Sequence, residues 1–299
     1  MIVGYSKKAQ TKMALALILP ALLIVSVFTY IPSAYVFFLS FKDWDMISPV
    51  KTNVGLENYK RLFDPANGFG YSLTRTLVYS LIFIPMTLCL SLFIANRINK
   101  LSHKGKGVYQ SLFFIPSVTS ISVISLVWSY LFNPQIGPIN AFLAKLGVSS
   151  DAMPQWLNSC DLALPTLAII GVWQNIGFMT LLFVAGLQNI PKIYYEAAEI
   201  DGAPKRLVFY KITIPLLSPV LYYVLFMLII NSFKMFDIVA IMTKGKPQGS
   251  TNVILYYVYQ RSFQFWDAGI GAAASWVIFI ILLGIYMLQQ KLGEKNVHY

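Results

Sequence analysis

Residues 194–219 read YYEAAEIDGAPKRLVFYKITIPLLSP, three acids and three bases set between two long uncharged runs. Each part has a local reason. Pro191 suits the first turn of a helix, where its missing N–H costs nothing. Ile193, Ala197 and Ile200 follow at i, i+4 and i+7 as a narrow apolar stripe, with Glu196 and Glu199 pointing elsewhere. Lys192 can pair with Glu196 across one turn for about 0.2–0.5 kcal/mol. The run Asp201-Gly202-Ala203-Pro204 then stops the helix: Gly202 permits a left-handed turn and Pro204 pre-sets the start of a second helix. That helix carries Leu207, Tyr210 and Ile214 on one face and closes at Pro215. Stability alone leaves two features unexplained. Lys205 and Arg206 sit in a first helical turn, where the macrodipole disfavours cations. Ala197, Ala198 and Gly202 present small surfaces that let another backbone come close. The stretch therefore reads as a helix, elbow, helix unit with a docking surface for a second protein; a solvated loop with headgroup-binding bases is the plainer alternative.

Working outward, 57% of the 299 residues are hydrophobic and 12% charged, too little polar surface to cover a soluble globule. Charge-free windows of 29, 21, 38, 30, 22 and 23 residues follow Lys12, Arg75, Lys106, Asp161, Lys211 and Asp267. About 20 apolar residues in a helix cross the hydrocarbon core, where lipid offers the backbone no partners. Six spans are expected, over 13–40, 76–96, 108–132, 162–187, 216–240 and 269–290, with the elbow loop at 188–215. The fold class is thus all-α membrane protein, a single domain over 1–299. The run from Met13 to Leu39 far exceeds a signal peptide's apolar core of about 7–15 residues and is read as an uncleaved span. A seventh patch, Asn252 to Tyr259, is too short to cross and reads as interfacial or re-entrant.

Lys and Arg set the orientation. The loops on the side of both termini hold 13 in 61 residues, against 9 in 93 on the other side, so both termini and the elbow are expected in the cytoplasm. The same asymmetry, with anionic lipid, explains the net charge of +11 without nucleic acid. Cys89 and Cys160 fall at different depths, and two thiols make no metal site without further ligands. His103 and His298 lie on basic segments and read as solvated. No phosphate-binding Gly-x-x-x-x-Gly-Lys-Ser/Thr loop occurs, so the chain is not expected to hydrolyse ATP itself.

Between the spans, VGLENYKRLFDP (54–65) places Leu56, Tyr59 and Leu62 at helical spacing and reads as a short amphipathic helix. NPQIGPIN (133–140) is a cluster of turn formers. Lys234 and Asp237 are three residues apart in the fifth expected span, where a lone charge costs about 2.5–3.5 kcal/mol. They read as a pair on one helix face, either structural or on a solute pathway. Trp128, Trp173, Gln174, Asn175 and Asn231 are further pathway candidates, the rings for stacking on sugar C–H faces and the amides for hydroxyls; such Trp residues equally mark membrane interfaces.

The run from Glu196 to Pro215 resembles the EAA signature of ABC-importer permeases: Glu-Ala-Ala, three residues, Gly, nine residues, Ile, one residue, Leu-Pro. Glu196, Ala197, Ala198, Gly202, Ile212 and Pro215 match it, with Ile214 where Leu is usual. SFKDWD (40–45), VGLENYKRLF (54–63), WSYLFNPQIGPIN (128–140), WQNIGF (173–178), AGLQNIP (185–191) and NSFKMFDIVAIMT (231–243) resemble the maltose-permease-like, carbohydrate-importing branch, so the likeness covers nearly the whole chain. One departure is TKGKPQGST (243–251), with Lys246 in the second position of the usual Gly-Gly-Pro. The resemblance implies a type I importer permease fold whose elbow is the coupling helix for a cytoplasmic ATPase. Glu196 would pair with a basic group there, Ala197 and Ala198 would permit close approach and Gly202 would supply the bend, with Asp201, Ile212 and Pro215 in the same ATPase-coupling set. It implies as partners a second homologous permease, two ATPase subunits that use ATP and Mg, and an extracytoplasmic solute-binding protein. The chain itself would bind no cofactor, sit in a bacterial or archaeal cytoplasmic membrane and pass a di- or oligosaccharide. Glycerol phosphate or another polar solute, and an ion-coupled secondary transporter using Lys234 and Asp237, remain as alternatives.

Overall fold

The structure is a computed structural model that describes residues 7–296. The extreme ends, with His298, and the side chain of His103 lie outside the described residues. The chain divides into two compact units, Met1–Asn67 with Val258–Ile278 and Gly68–Tyr257 with Phe279–Tyr299.

In the first unit, α1 (Thr11–Leu39) is long and apolar enough to cross a bilayer and buries nothing of its apolar window within the chain. It leads into a two-stranded antiparallel ribbon, β1 (Lys42–Asp43) with β2 (Thr52–Asn53). The short helix expected in 54–65 is α2 (Glu57–Phe63). Its buried face is not the expected apolar stripe: Leu62 and Asn58 are buried, while Leu56 precedes the helix and is 63% exposed. Asn58 Nδ2 donates to the carbonyls of Ser40 (3.0 Å) and Lys42 (2.8 Å) and so anchors α2 to the end of α1. Arg61 closes the unit through an ion pair with Asp267 at 3.0 Å.

The second unit is organised around α3 (Phe69–Asn99) and α7 (Ala163–Asn189), whose packed faces bury Phe83, Leu167, Ile170, Met179 and Phe183. Each is a single helix long and apolar enough to cross a bilayer, and a helix satisfies its backbone groups internally as lipid requires. Against them packs α4 (His103–Val118). At Gly177 of α7 a Cβ would fall on the backbone carbonyl of Phe113 in α4; only glycine lets the two helices meet backbone to backbone. The span expected at 108–132 is instead a broken pair: α4 gives way to α5 (Ile121–Leu131) at an angle of 92°. Thr119 and Ser120 are extended, and the Thr119 hydroxyl takes the Ile115 carbonyl at 2.8 Å that a continuing helix would have used.

The turn at 133–140 follows as expected, Asn133 Oδ1 accepting from the N–H groups of Gln135 and Ile136, and opens into α6 (Pro138–Lys145). Past α7 comes the elbow, α8 (Ile193–Ile200) and α9 (Lys205–Leu216), then α10 (Ser218–Phe233). The span expected at 216–240 is thus also bent, by 70° between α9 and α10. Pro219 lacks the N–H that would bond the carbonyl of Pro215, and the axis breaks there. The seventh patch forms α11 (Ile254–Tyr259), with Ile254, Tyr256 and Tyr257 buried. It is held by the Ile254 N–H on Thr76 Oγ1 (2.8 Å) and by Tyr257 against Phe69; its apolar residues meet α3. The last helix is α12 (Ala268–Asn296). Among the described residues, four single helices are long and apolar enough to span a membrane, and the count rises to six if each bent pair is one span.

Candidate functional site

The elbow is closed by its own backbone. Gly202 adopts φ +67°, which a β-carbon would penalise. The Ala203 N–H donates to Ala198 O at 2.9 Å and the Gly202 N–H to Glu199 O at 3.1 Å. These two crossed bonds satisfy carbonyls that the end of α8 would otherwise leave open. Pro204 is extended and starts α9. The arms are tied by the Tyr195 and Thr213 hydroxyls, 3.2 Å apart, the latter in a π-helical turn, Phe209–Thr213. Glu196, Ala197, Asp201 and Gly202 are exposed, Ile212 and Pro215 half-buried. Ala198 instead faces inward at 7% exposure, whereas Ile200 is 87% and Ile193 68% exposed. The apolar stripe of α8 thus points away from its own chain. The Lys192–Glu196 pair does not form among the described residues; Lys192 sits at the N-cap, just before the first turn, and both side chains stay in solvent.

Five of the seven pathway candidates come together. A cavity of about 420 Å³ is lined by Gln174, Asn175, Asn231, Lys234 and Asp237. Asn231 Nδ2 donates to Asn175 Oδ1 (3.1 Å), and Asn175 Nδ2 to Gly171 O (2.9 Å), so the two amides fix each other across α7 and α10. Ser117 Oγ donates to Gln174 O at 2.8 Å and ties α4 to the same wall. Behind it, Ser80 and Ser232 join α3 to α10 at 2.8 Å.

Lys234 and Asp237 do not pair: among the described residues neither has an ion-pair partner. The helix ends at Phe233, Lys234 is its C-cap with φ −83° and ψ 3°, and residues 235 and 236 are not helical. Three-residue spacing then no longer brings the two onto one face. Trp128 and Trp173 do not line the cavity. They meet edge to face at 5.5 Å, and Trp173 lines a separate apolar groove with Phe113 and Ile176. Successive helical residues turn by about 100°, so Trp173 cannot share a wall with Asn175. The aromatic faces of the cavity are Tyr79, Phe83, Phe114, Phe178 and Phe236, with Tyr79 and Phe83 stacked at 5.3 Å. In the sequence only the four-residue spacing of Tyr79 and Phe83 hints at a common face, and apolar spans are full of such pairs.

A family described as binding-protein-dependent transport system inner membrane component matches residues 87–295. The chain belongs to this family. The permease is 36% identical over 275 residues to the probable ABC transporter permease protein YesP of Bacillus subtilis (strain 168), covering 91% of this chain and 87% of that protein. It is 35% identical over 288 residues, 96% of each chain, to the trehalose/maltose transport system permease protein MalF of Thermococcus litoralis. It is 31% identical over 284 residues, 95% of this chain and 94% of the other, to the sn-glycerol-3-phosphate transport system permease protein UgpA of Yersinia pestis bv. Antiqua (strain Antiqua). Its fold matches, at a TM-score of 0.82 and 20% identity, a chain in the crystal structure of a bacterial ABC transporter involved in the import of the acidic polysaccharide alginate, over 97% of this chain and 98% of that one. The relatives are permease subunits, transport components rather than catalysts, and this chain is a membrane-embedded permease of the same kind.

Proposed function

We propose that this permease is the membrane subunit of an ATP-driven importer for a di- or oligosaccharide delivered by an extracytoplasmic binding protein. It would work beside a second homologous permease and two ATPase subunits in a bacterial or archaeal cytoplasmic membrane, with its termini and elbow on the cytoplasmic side. The observation that carries this reading is the elbow: a turn rigidly closed by crossed backbone bonds that presents Glu196, Ala197 and the bare side chains of Ile193 and Ile200 to a partner. A docked lever of this shape transmits closure of the ATPase subunits into α7, α9 and α10, because a rigid element with two docked positions couples two sites. Ala198 contributes by packing the turn from within. The cavity supports the cargo assignment, since paired amides with aromatic walls suit the hydroxyls and C–H faces of a sugar. Relatives named for trehalose/maltose and for arabinooligosaccharides point the same way.

One observation favours a second reading, a small phosphorylated polyol as cargo: Lys234 lines the cavity without an ion pair among the described residues, and a relative is named for sn-glycerol-3-phosphate. Proteoliposomes holding both permeases and the ATPase, supplied with binding protein and labelled solutes, separate these outcomes. Uptake of a disaccharide only with ATP is expected, and Glu196→Lys should leave the complex inserted but reduce uptake at least about tenfold by reversing the docking charge. Normal uptake in that variant sinks the coupling role, preference for glycerol phosphate sinks the carbohydrate assignment, and uptake by this chain alone on an ion gradient sinks both.

A further inference from the structure

A second cavity, of about 570 Å³, lies behind the elbow and takes no part in the pathway described above. That is within the range of about 300–1,000 Å³ that small-molecule sites occupy. Its lining is divided. Leu187, Val208 and Phe209 form an apolar wall, and Tyr195 and Thr213 bring their hydroxyls. Asn96, Asn99 and Lys100 from the end of α3, and Lys205 from the start of α9, bring hydrogen-bond donors. Glu199 is the one carboxylate, so the charged lining nets one positive. Neither Lys100 nor Lys205 has an ion-pair partner among the described residues. Asn99 Oδ1 is occupied by Lys106 Nζ at 3.3 Å, which leaves its Nδ2 as the group to offer a ligand. The cavity also sits where α3 and α7 end, the depth at which a bilayer gives way to headgroups.

We propose that this cavity binds the phosphate ester of a small polyol, with Lys100 and Lys205 on the phosphate, Asn96 and Asn99 on hydroxyls, and the apolar wall against the carbon skeleton. Two sources carry that chemistry, the glycerophosphate headgroup of an anionic lipid and a free sugar phosphate. The lining joins the end of α3 to both arms of the elbow. A ligand held there binds best to the elbow position described above, and by linkage it holds the elbow in that position. The binding site stands without the transport reading; only its control over transport rests on it.

The purified full-length chain in nanodiscs tests the site by native mass spectrometry for retained lipid and by titration with glucose 6-phosphate in phosphatidylcholine discs. Retention of phosphatidylglycerol over phosphatidylcholine assigns the lipid; saturable binding of glucose 6-phosphate assigns the metabolite. Either supports the proposal if Lys100→Gln with Lys205→Gln weakens it about tenfold or more, the loss expected of charge-assisted contacts. Lys145→Gln should leave binding within twofold, which separates this site from general surface charge, and binding lost with Lys234→Gln in place of the double variant would put the ligand in the first cavity and overturn the proposal. Circular dichroism and melting of each variant confirm that it is folded. Absence of binding for both probes, or binding unchanged in the double variant, overturns the proposal whether or not the complex transports sugar.

Discussion

The elbow and the amide-lined cavity are both built from polar groups beside apolar helices, yet they are assembled in opposite ways. The elbow lies within some twenty consecutive residues and is closed by backbone bonds five and three residues long, Ala203 to Ala198 and Gly202 to Glu199. The cavity draws on α3, α4, α7, α10 and the non-helical stretch after Phe233, and its shape depends on how closely those helices approach. Damage to the elbow should stay local, whereas damage to the helix seams should spread.

Three experiments sharpen or break that contrast. The largest effect is expected from Gly177→Leu, which drives a side chain into the Phe113 carbonyl and should cost about 3 kcal/mol through overpacking. Its check is the yield and melting temperature of the purified chain, and a variant as stable as the wild type would mean that α4 and α7 do not meet there. Next comes Gly202→Val. Nothing lies within 4 Å of the added Cβ, so the cost is the strain of φ +67°, about 1–2 kcal/mol. The chain should remain folded by the same melting assay while ATP-driven uptake falls at least about tenfold; global unfolding would show that the elbow is not the local element described.

The smallest effect concerns another locally closed turn. The Asp45 carboxylate accepts from the Ser48 N–H (2.7 Å), the Ser48 hydroxyl (2.8 Å) and the Ile47 N–H (3.0 Å), which together hold its pKa below the ordinary value. The folded pKa is the lower one, so the turn is fully supported above the unfolded value of about 3.9 and loses that support as pH falls through the folded pKa. Trp44, whose Nε1 donates to Ser48 O, reports the change by fluorescence, with Asp45→Asn as control. A transition centred above pH 5, or one that persists in Asp45→Asn, would assign the titration elsewhere.

The same contrast explains what could be read from sequence. Gly202 and Pro204 mark the elbow because turn chemistry is local, and charge-free windows mark the spans because the hydrocarbon core demands length. The breaks within two spans were hidden. Thr119 with Ser120, and Pro215 with Pro219, sit in runs as apolar as any span, and hydropathy does not register a change of direction. Asn175 and Asn231 could be named as pathway candidates but not joined, since 56 residues separate them. Trp128 and Trp173 misled because ring type says nothing of which way a helix turns it, while Tyr79 and Phe83 were lost among the many other aromatic residues of the chain. Asn58 was passed over in favour of Leu56 because spacing reveals an apolar stripe and not an amide that ties two segments together.

The glycine seam at residue 177 also fixes where motion is to be sought. Two helices in backbone contact without an intervening side chain have little room to slide, so the wall formed by α4 and α7 behaves as a hard jaw. The cavity lining also contains Lys234, Met235 and Phe236, where the helical ladder is interrupted. If the cavity is the passage proposed above, a crosslink between that stretch and α7 is expected to stop uptake by the reconstituted complex, while a crosslink across the seam leaves it running.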